Sequence, residues 1–407
     1  MAETASTGRA LRSPYDLDPG EWTVRAQALG LPAYAGRQIA GWLYGRSIST
    51  PAAMTDLSKR SRALLAEHLA GAGLRLLEAR TGDRGWTVKL LLGLANGQAV
   101  EAVVMMYPGR VTVCVSTQAG CAMGCPFCAT ASMGLVAQLT AGEIAEQVAV
   151  ARRMLATGEI PLADARVPAR VTNVVFMGMG EPFANARATW GAVERLRAMG
   201  LGARNLTIST VGIVPGIRTA ARRAEQVNLA ISLHAADDAL RNELVPANRV
   251  YPLTVLMEAA RDYLAVTHRR VSFEYALMSE VNDSVEQAEA LAKLLGELRT
   301  PTGGQGAHVN LIPLNPIPGS LFAASDSEHV RAFEARLLSH GLAVSLRSSR
   351  GSSIAGACGQ LATRAGRGPI GRGGVAGANG ADVHDAGKGP REDAGVAPAD
   401  LEERRQG

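Results

Sequence analysis

Ile144, Val148, Ala151 and Leu155 recur at the three- and four-residue steps of one face of an α-helix. Thr140 and Glu143 stand just before them as a capping box, which places the start of that helix near residue 141. Upstream, Gln38, Ile39, Trp42 and Leu43, then Leu64, Leu65 and Leu69, predict helical structure from residue 15 to about residue 80. Trp86–Leu92 and Val100–Met106 are β-rich runs separated by a segment containing Asn96-Gly97, a turn signal. Further strands are predicted at Val111–Ser116, Val171–Met177, Leu206–Ser209, Val227–Leu233, Val271–Leu277, Val309–Pro313 and Ala343–Arg347, with helices fitting between them. Repeated strand-then-helix units imply an α/β fold whose parallel sheet is covered by helices, either open or curled into a partial barrel.

Composition changes the picture at the ends. Residues 366–407 hold eleven glycines, no aromatic residue and charges of both signs, so they bury too little apolar surface to offset ordering and are expected to be a disordered tail. Residues 1–14 are also expected to lack structure. Between these lie three expected regions: helical residues 15–80, a β-rich connector at 81–110 and a catalytic domain at 111–365. No run of eighteen apolar residues spans a membrane, and the polar first residues lack the pattern of a secretory signal, so a cytoplasmic protein is expected. Without the tail the chain is mildly basic, which permits a nucleic-acid partner without demanding one. Arg37, Arg46, Lys59, Arg60 and Arg62 interleave with the first helices; alone they read as a solvated face.

The chemistry is concentrated in cysteine. Three of five cysteines fall in Cys121-Ala-Met-Gly-Cys125-Pro-Phe-Cys128, a C-x₃-C-x₂-C loop just after a strand. Three thiolates can hold three irons of a four-iron cluster and leave the fourth open to a substrate. A zinc site would need a fourth ligand from elsewhere, and the nearest histidines in sequence are His68 and His234. Gly178-Met-Gly180-Glu181-Pro182 follows at the end of the next predicted strand, a place where barrel enzymes position ligands. The remaining cysteines are Cys114 and Cys358, far apart in sequence.

The cysteine loop and the Gly-Glu-Pro segment resemble the radical S-adenosylmethionine (SAM) superfamily. With Cys114, Gly356-Ala-Cys358-Gly-Gln-Leu361, Ser209-Thr-Val-Gly212, Ser232-Leu233-His234, Pro313-Leu-Asn315-Pro316 and Arg347, the chain from Tyr15 to Gly366 closely resembles the RlmN/Cfr family of rRNA and tRNA adenine methyltransferases, nearest its C2-methylating branch. The resemblance implies a partial (β/α)6 barrel with a small N-terminal helical accessory domain that binds RNA. It implies that Cys121, Cys125 and Cys128 ligate a [4Fe-4S] cluster. Gly180, Glu181, Ser209, Ser232, Leu233, His234 and Asn315 would then line the SAM site. Cys358 would be methylated, Cys114 would resolve the covalent RNA adduct through a transient disulfide, and Glu101 would take the final proton.

Such residues make sense for adenine C2. That carbon lies between two ring nitrogens and is not nucleophilic, so direct methyl transfer from SAM is blocked. The family's route uses two SAM molecules: one methylates Cys358, and the other yields a radical that removes hydrogen from that methyl group. The base must leave its stack to be reached. The implied partners are 23S rRNA near the peptidyl-transferase centre, a tRNA anticodon loop, and an electron donor such as flavodoxin or ferredoxin; a monomer is expected. Arg218, Arg222, Arg223, Arg269 and Arg270 are candidate phosphate contacts. The cysteine framework alone leaves C8 methylation open, and a non-catalytic zinc-stabilised RNA-binding protein is the reading from another class.

Overall fold

The computed structural model describes residues 10–317, 319–347 and 350–362, which belong to one compact unit. The expected tail, residues 366–407, and residues 1–9 lie outside the described residues.

Three helices open the chain: α1 (Pro19–Ala28), α2 (Ala33–Ala40) and α3 (Lys59–His68). Asp18 and Glu21 form a capping box on α1. Then come four sequential strands: β1 (Arg75–Gly82), β2 (Thr87–Gly93), β3 (Ala99–Tyr107) and β4 (Arg110–Cys114), paired antiparallel in that order. The helix expected to run to about residue 80 thus ends at His68, and β1 takes its place. Most of β1 is exposed, so its side chains carry no alternation that would have marked it as a strand.

A short hairpin, β5 (Gln118–Gly120) and β6 (Leu135–Gln138), precedes α4 (Ala141–Thr157). The remaining strands are β7 (Asn173–Phe176), β8 (Leu206–Thr210), β9 (Asn228–Ser232), β10 (Val271–Leu277), β11 (Ala307–Pro313) and β12 (Ala343–Leu346). Between them lie α5 (Ala186–Ala198), α6 (Val214–Arg222), α7 (Asp238–Leu244), α8 (Leu253–Thr267), α9 (Val285–Gly296) and α10 (Ser327–Ser339). From β4 through β7 to β12 every neighbouring pair is parallel and in sequence order. The unit β4–α4 and the five that follow it make the expected six, with β12 added as a final parallel strand. In the sheet β1–β4 extend one edge and β12 forms the other, so the barrel is partial.

The N-terminal segment is ordered earlier than expected. Arg12 pairs with Glu143 at 2.8 Å, and the Ser13 hydroxyl donates to Glu146 at 2.7 Å, both acceptors on α4 and buried. Buried carboxylates need partners, and residues 12 and 13 supply them. Gly142 lets the turn at Tyr15–Asp16 approach α4, since a Cβ there would lie 2.3 Å from the Asp16 nitrogen. Tyr15, Trp22, Ile39 and Leu43 belong to the same apolar core as α4 and the barrel strands.

Candidate active site

The hairpin β5–β6 presents the cysteine loop. The Cys121 amide donates to the Gly134 carbonyl at 2.9 Å, closing residues 121–134 into a loop. Gly120 has φ +73°, and a Cβ there would sit 1.9 Å from the Gly134 oxygen, so only glycine allows this closure. Cys121 and Cys125 are buried and Cys128 partly so. Burial pushes the Cys121 thiol up to about 11 and raises Cys125 as well; the neighbouring thiols add to the rise at Cys125. Iron ligation would reverse that preference, because cationic metal favours thiolate. Among the described residues no three His, Cys, Asp or Glu side chains form a group that would hold a single metal ion. Thiols that each take a different iron of a cluster need not converge on one point, and all three cysteines face one cleft of about 1090 Å³.

The opposite wall of that cleft comes from the carboxyl ends of the parallel strands. Gly180, Glu181, Ser209, Ser232, His234 and Asn315 all line it. Gly180 has φ +96° and packs against Gln118, whose side-chain carbonyl accepts the Glu181 amide at 2.8 Å. The two Glu181 oxygens accept the amides of Phe183 (2.9 Å) and Val211 (2.8 Å). Burial raises this carboxyl to about 7, opposed by those amides and Thr210. Each oxygen retains accepting capacity for a ligand ammonium. His234 stands at φ +62°. Its Nδ1 accepts the Ala276 amide at 3.0 Å, which leaves the proton of the neutral ring on Nε2. Burial, with Arg241 nearby, lowers its pKa to about 3. The Leu233 side chain is buried in the core and absent from the cleft wall, and its amide and carbonyl are bonded to Glu274 and Arg241.

A second cavity, of about 980 Å³, shares Met177, Ile312, Asn315, Leu361 and Cys358 with the first. Cys114, at the end of β4, also lines it. Cys358 lies deep in the fold yet is solvent-accessible, because it opens onto both spaces. Its carbonyl accepts from Asn315 at 3.4 Å. Burial pushes Cys114 up to about 12, with charge on Cys358 acting the same way and Arg347 opposing. Burial also raises Cys358, again opposed by Arg347. Glu101 is on neither cavity wall. It is buried, paired with Lys89 at 2.9 Å, and accepts the Ala362 amide at 3.1 Å, next to the lining residue Leu361. Burial raises its pKa, opposed chiefly by Lys89.

The sequence matches the Radical SAM superfamily over residues 115–295. It is 48% identical over 357 residues to a probable dual-specificity RNA methyltransferase RlmN of Chloroflexus aurantiacus, covering 87% of this chain and 93% of that one. The chain belongs to the RlmN family of radical SAM RNA methyltransferases. A probable RlmN of Nocardioides sp. is 47% identical over 353 residues, 85% of this chain and 92% of that one. The crystal structure of a radical SAM methyltransferase from Sphaerobacter thermophilus superposes with a TM-score of 0.80 at 46% identity, covering 87% of this chain and 99% of that one. Membership sets aside the reading as a non-catalytic zinc protein.

This RlmN-family site contains residues that sequence reasoning missed. Arg241 is fully buried and donates to the carbonyls of Leu233 (3.1 Å), Val211 (2.8 Å) and Ser232 (3.2 Å), and to Asn248 Oδ1 (2.6 Å). It therefore pins the ends of β8 and β9 on either side of His234. In Asp237-Asp238-Ala-Leu-Arg241 it reads as one more surface charge, and no signal in the sequence marks it out. Gln118 and Lys89 have the same kind of role for Glu181 and Glu101. Three of the five candidate phosphate contacts are less available than expected, while Arg222 and Arg270 are exposed. Arg218 pairs with Glu258 and Asp262, Arg223 with Glu194 and Glu225, and Arg269 bonds Gln226 and Asn228. No helix among the described residues is long and apolar enough to cross a membrane.

Proposed function

We propose that this enzyme methylates C2 of an adenine in 23S rRNA near the peptidyl-transferase centre, and of an adenine in the tRNA anticodon loop. The observation that carries the reading is that Cys114 and Cys358 line one cavity, which adjoins the cleft of the three-cysteine loop. Cys121, Cys125 and Cys128 would hold a [4Fe-4S] cluster, and Gly180, Glu181, Ser209, Ser232, Leu233, His234 and Asn315 would hold SAM. Together these cofactors supply, when bound, a methyl group from one SAM and a hydrogen-abstracting radical from a second.

The side chains do the rest. Cys358 carries the methyl group on its sulfur at the junction of the two cavities, where it faces both cofactor and base. Once the methyl carbon is joined to C2, the ring loses a proton to Glu101 and one electron, equal to the one spent in generating the radical, and so regains its aromatic closed shell. Lys89 favours the ionised form of Glu101 this requires. Cys114 then attacks the Cys358 sulfur. A disulfide forms, the sulfur–carbon bond breaks, and the carbon keeps the electron pair and takes a proton. Burial raises both thiols, and Arg347 opposes it by favouring the thiolate in each case. In this reading residues 15–80 bind RNA, supported by the exposed Arg37, Arg46, Lys59 and Arg60. The protein works as a cytoplasmic monomer reduced by a flavodoxin or ferredoxin. Nucleoside analysis of rRNA and tRNA from cells lacking the protein tests the proposal. Loss of 2-methyladenine from both supports it, and loss of 8-methyladenine instead would move the reaction to C8.

A further inference from the structure

The cavity that holds Cys114 and Cys358 is lined by three arginines, Arg110, Arg347 and Arg350, and by no carboxylate. The seam it occupies runs between Val103, Met105 and Tyr107 of β3 and Leu346 of β12, with Cys114 of β4, Val175 of β7 and Ile312 of β11 also on its wall. Tyr107 is held between two guanidiniums: Arg110 lies 4.3 Å and Arg350 4.4 Å from its ring centroid, and Arg350 also reaches Trp86 at 5.6 Å. The Arg350 Nε is buried and has no hydrogen-bond partner among the described residues. A buried N–H donor left unpaired costs free energy that an arriving acceptor recovers. Arg347 has the buried Glu274 carboxylate nearby, whereas Arg110 and Arg350 have no acidic partner among the described residues. This cationic lining with an orphan donor suits a ligand with repeated anionic oxygens.

We propose that Arg110, Arg347 and Arg350 bind the RNA phosphodiester backbone on either side of the extruded adenine, with Tyr107 holding Arg110 and Arg350 in place. This rests on the RNA-methylating reading above and adds a binding site to it. Val103 pairs with Cys114, and Tyr107 is four residues further along β3, about 13 Å at the usual strand rise. Arg347 thus serves the phosphate next to the reacting base, while Arg110 and Arg350 serve the flanking chain. Arg218 and Arg223 on the helical exterior differ from these arginines in being already ion-paired.

The test uses the full-length enzyme with unmodified 23S rRNA and tRNA transcripts. Dissociation constants are measured across salt concentrations for wild type, Arg110→Ala, Arg350→Gln and the comparator Arg218→Ala. Arg110 is exposed, so its variant folds even if Arg350→Gln does not. Each seam variant is expected to reduce the slope of log K against log salt by about 0.7, the value for one contact to a single-stranded phosphate. The KM for RNA is expected to rise about tenfold, the order of one charged hydrogen bond, and Arg218→Ala should keep the wild-type slope. If wild type binds and methylates RNA while both seam variants keep its slope and KM, this site is wrong and the methyltransferase reading stands. A loss of slope in Arg218→Ala equal to that of the seam variants would also overturn the site. If wild type methylates neither RNA, the reading beneath it fails instead.

Discussion

The amide of Ala129 donates a 2.7 Å hydrogen bond to the carbonyl of Gly359, so the residue after the third loop cysteine is tied to the residue after Cys358. Thr130 adds a second tie, from its hydroxyl to the Leu361 carbonyl at 2.6 Å. The two chemical centres of the site, 230 residues apart in sequence, are in this way held as one body. Replacing Thr130 with Val keeps the shape and leaves the Leu361 carbonyl unpaired. The expected cost is about 1–3 kcal/mol of stability, with slower methylation of Cys358. Denaturant unfolding reads the first and the mass of the Cys358 peptide reads the second. An unchanged methylation rate would show that this tie does not position Cys358.

Lys89 is the cation that keeps Glu101 usable as a base. Glu101 and Lys89 are both buried, on the paired strands β3 and β2, and burial alone drives the carboxyl toward its neutral form. Lys89→Met removes the opposing charge, so Glu101 holds its proton to higher pH. The expected outcome is a methylation profile whose rise moves to higher pH, with at least a tenfold loss at neutral pH, within the usual range for a general base. Methylation by wild type and variant across pH checks this, and a profile unmoved by the substitution would remove Glu101 from the proton-transfer step.

Glu146 gives a stability prediction independent of catalysis. Burial raises its pKa from 4.5 to about 7, opposed by the Ser13 hydroxyl and the Leu74 amide. Between those pH values the folded chain keeps a proton that the unfolded chain has released, so stability falls as pH rises across the window. Glu146→Gln keeps a neutral, hydrogen-bonding side chain and removes that dependence. The variant is expected to match wild type near pH 4.5 and to exceed it at pH 8 by about 2–3 kcal/mol. Thermal or denaturant unfolding at the two pH values decides it. A variant less stable than wild type at pH 8 would mean that Glu146 is charged and well paired when folded.

The parallel strands were legible because buried strands read as short apolar runs, and the cysteine loop because its spacing is confined to eight residues. What could not be read depended on partners distant in sequence. Ser13 is ordered by Glu146, and Gly120 is required by Gly134 across a hairpin the sequence pattern did not announce. Arg241 acts through carbonyls, groups that every residue carries and no sequence motif marks. Leu233 stood in a triplet with two cleft residues, yet strand alternation turns its side chain into the core while Ser232 and His234 face the ligand space. Side-chain direction was the part that required the fold.

The last prediction concerns the two cysteines outside the loop, since their roles in the proposed reaction differ in kind. Both line one cavity, and Arg347 favours the thiolate of each. Cys358→Ala leaves no sulfur to carry the methyl group, so the reaction is expected to stop before any bond to RNA forms. Cys114→Ala still carries the methyl on Cys358 and still joins its carbon to the base. It then stalls, because no second thiol remains to attack the bridging sulfur. A denaturing gel of Cys114→Ala after incubation with SAM, reductant and RNA should show a protein–RNA adduct. The double variant should show none. The link is a thioether rather than a disulfide, so added thiol should leave the adduct intact. Turnover by Cys114→Ala at the wild-type rate, with no adduct, would rule out resolution by this pair.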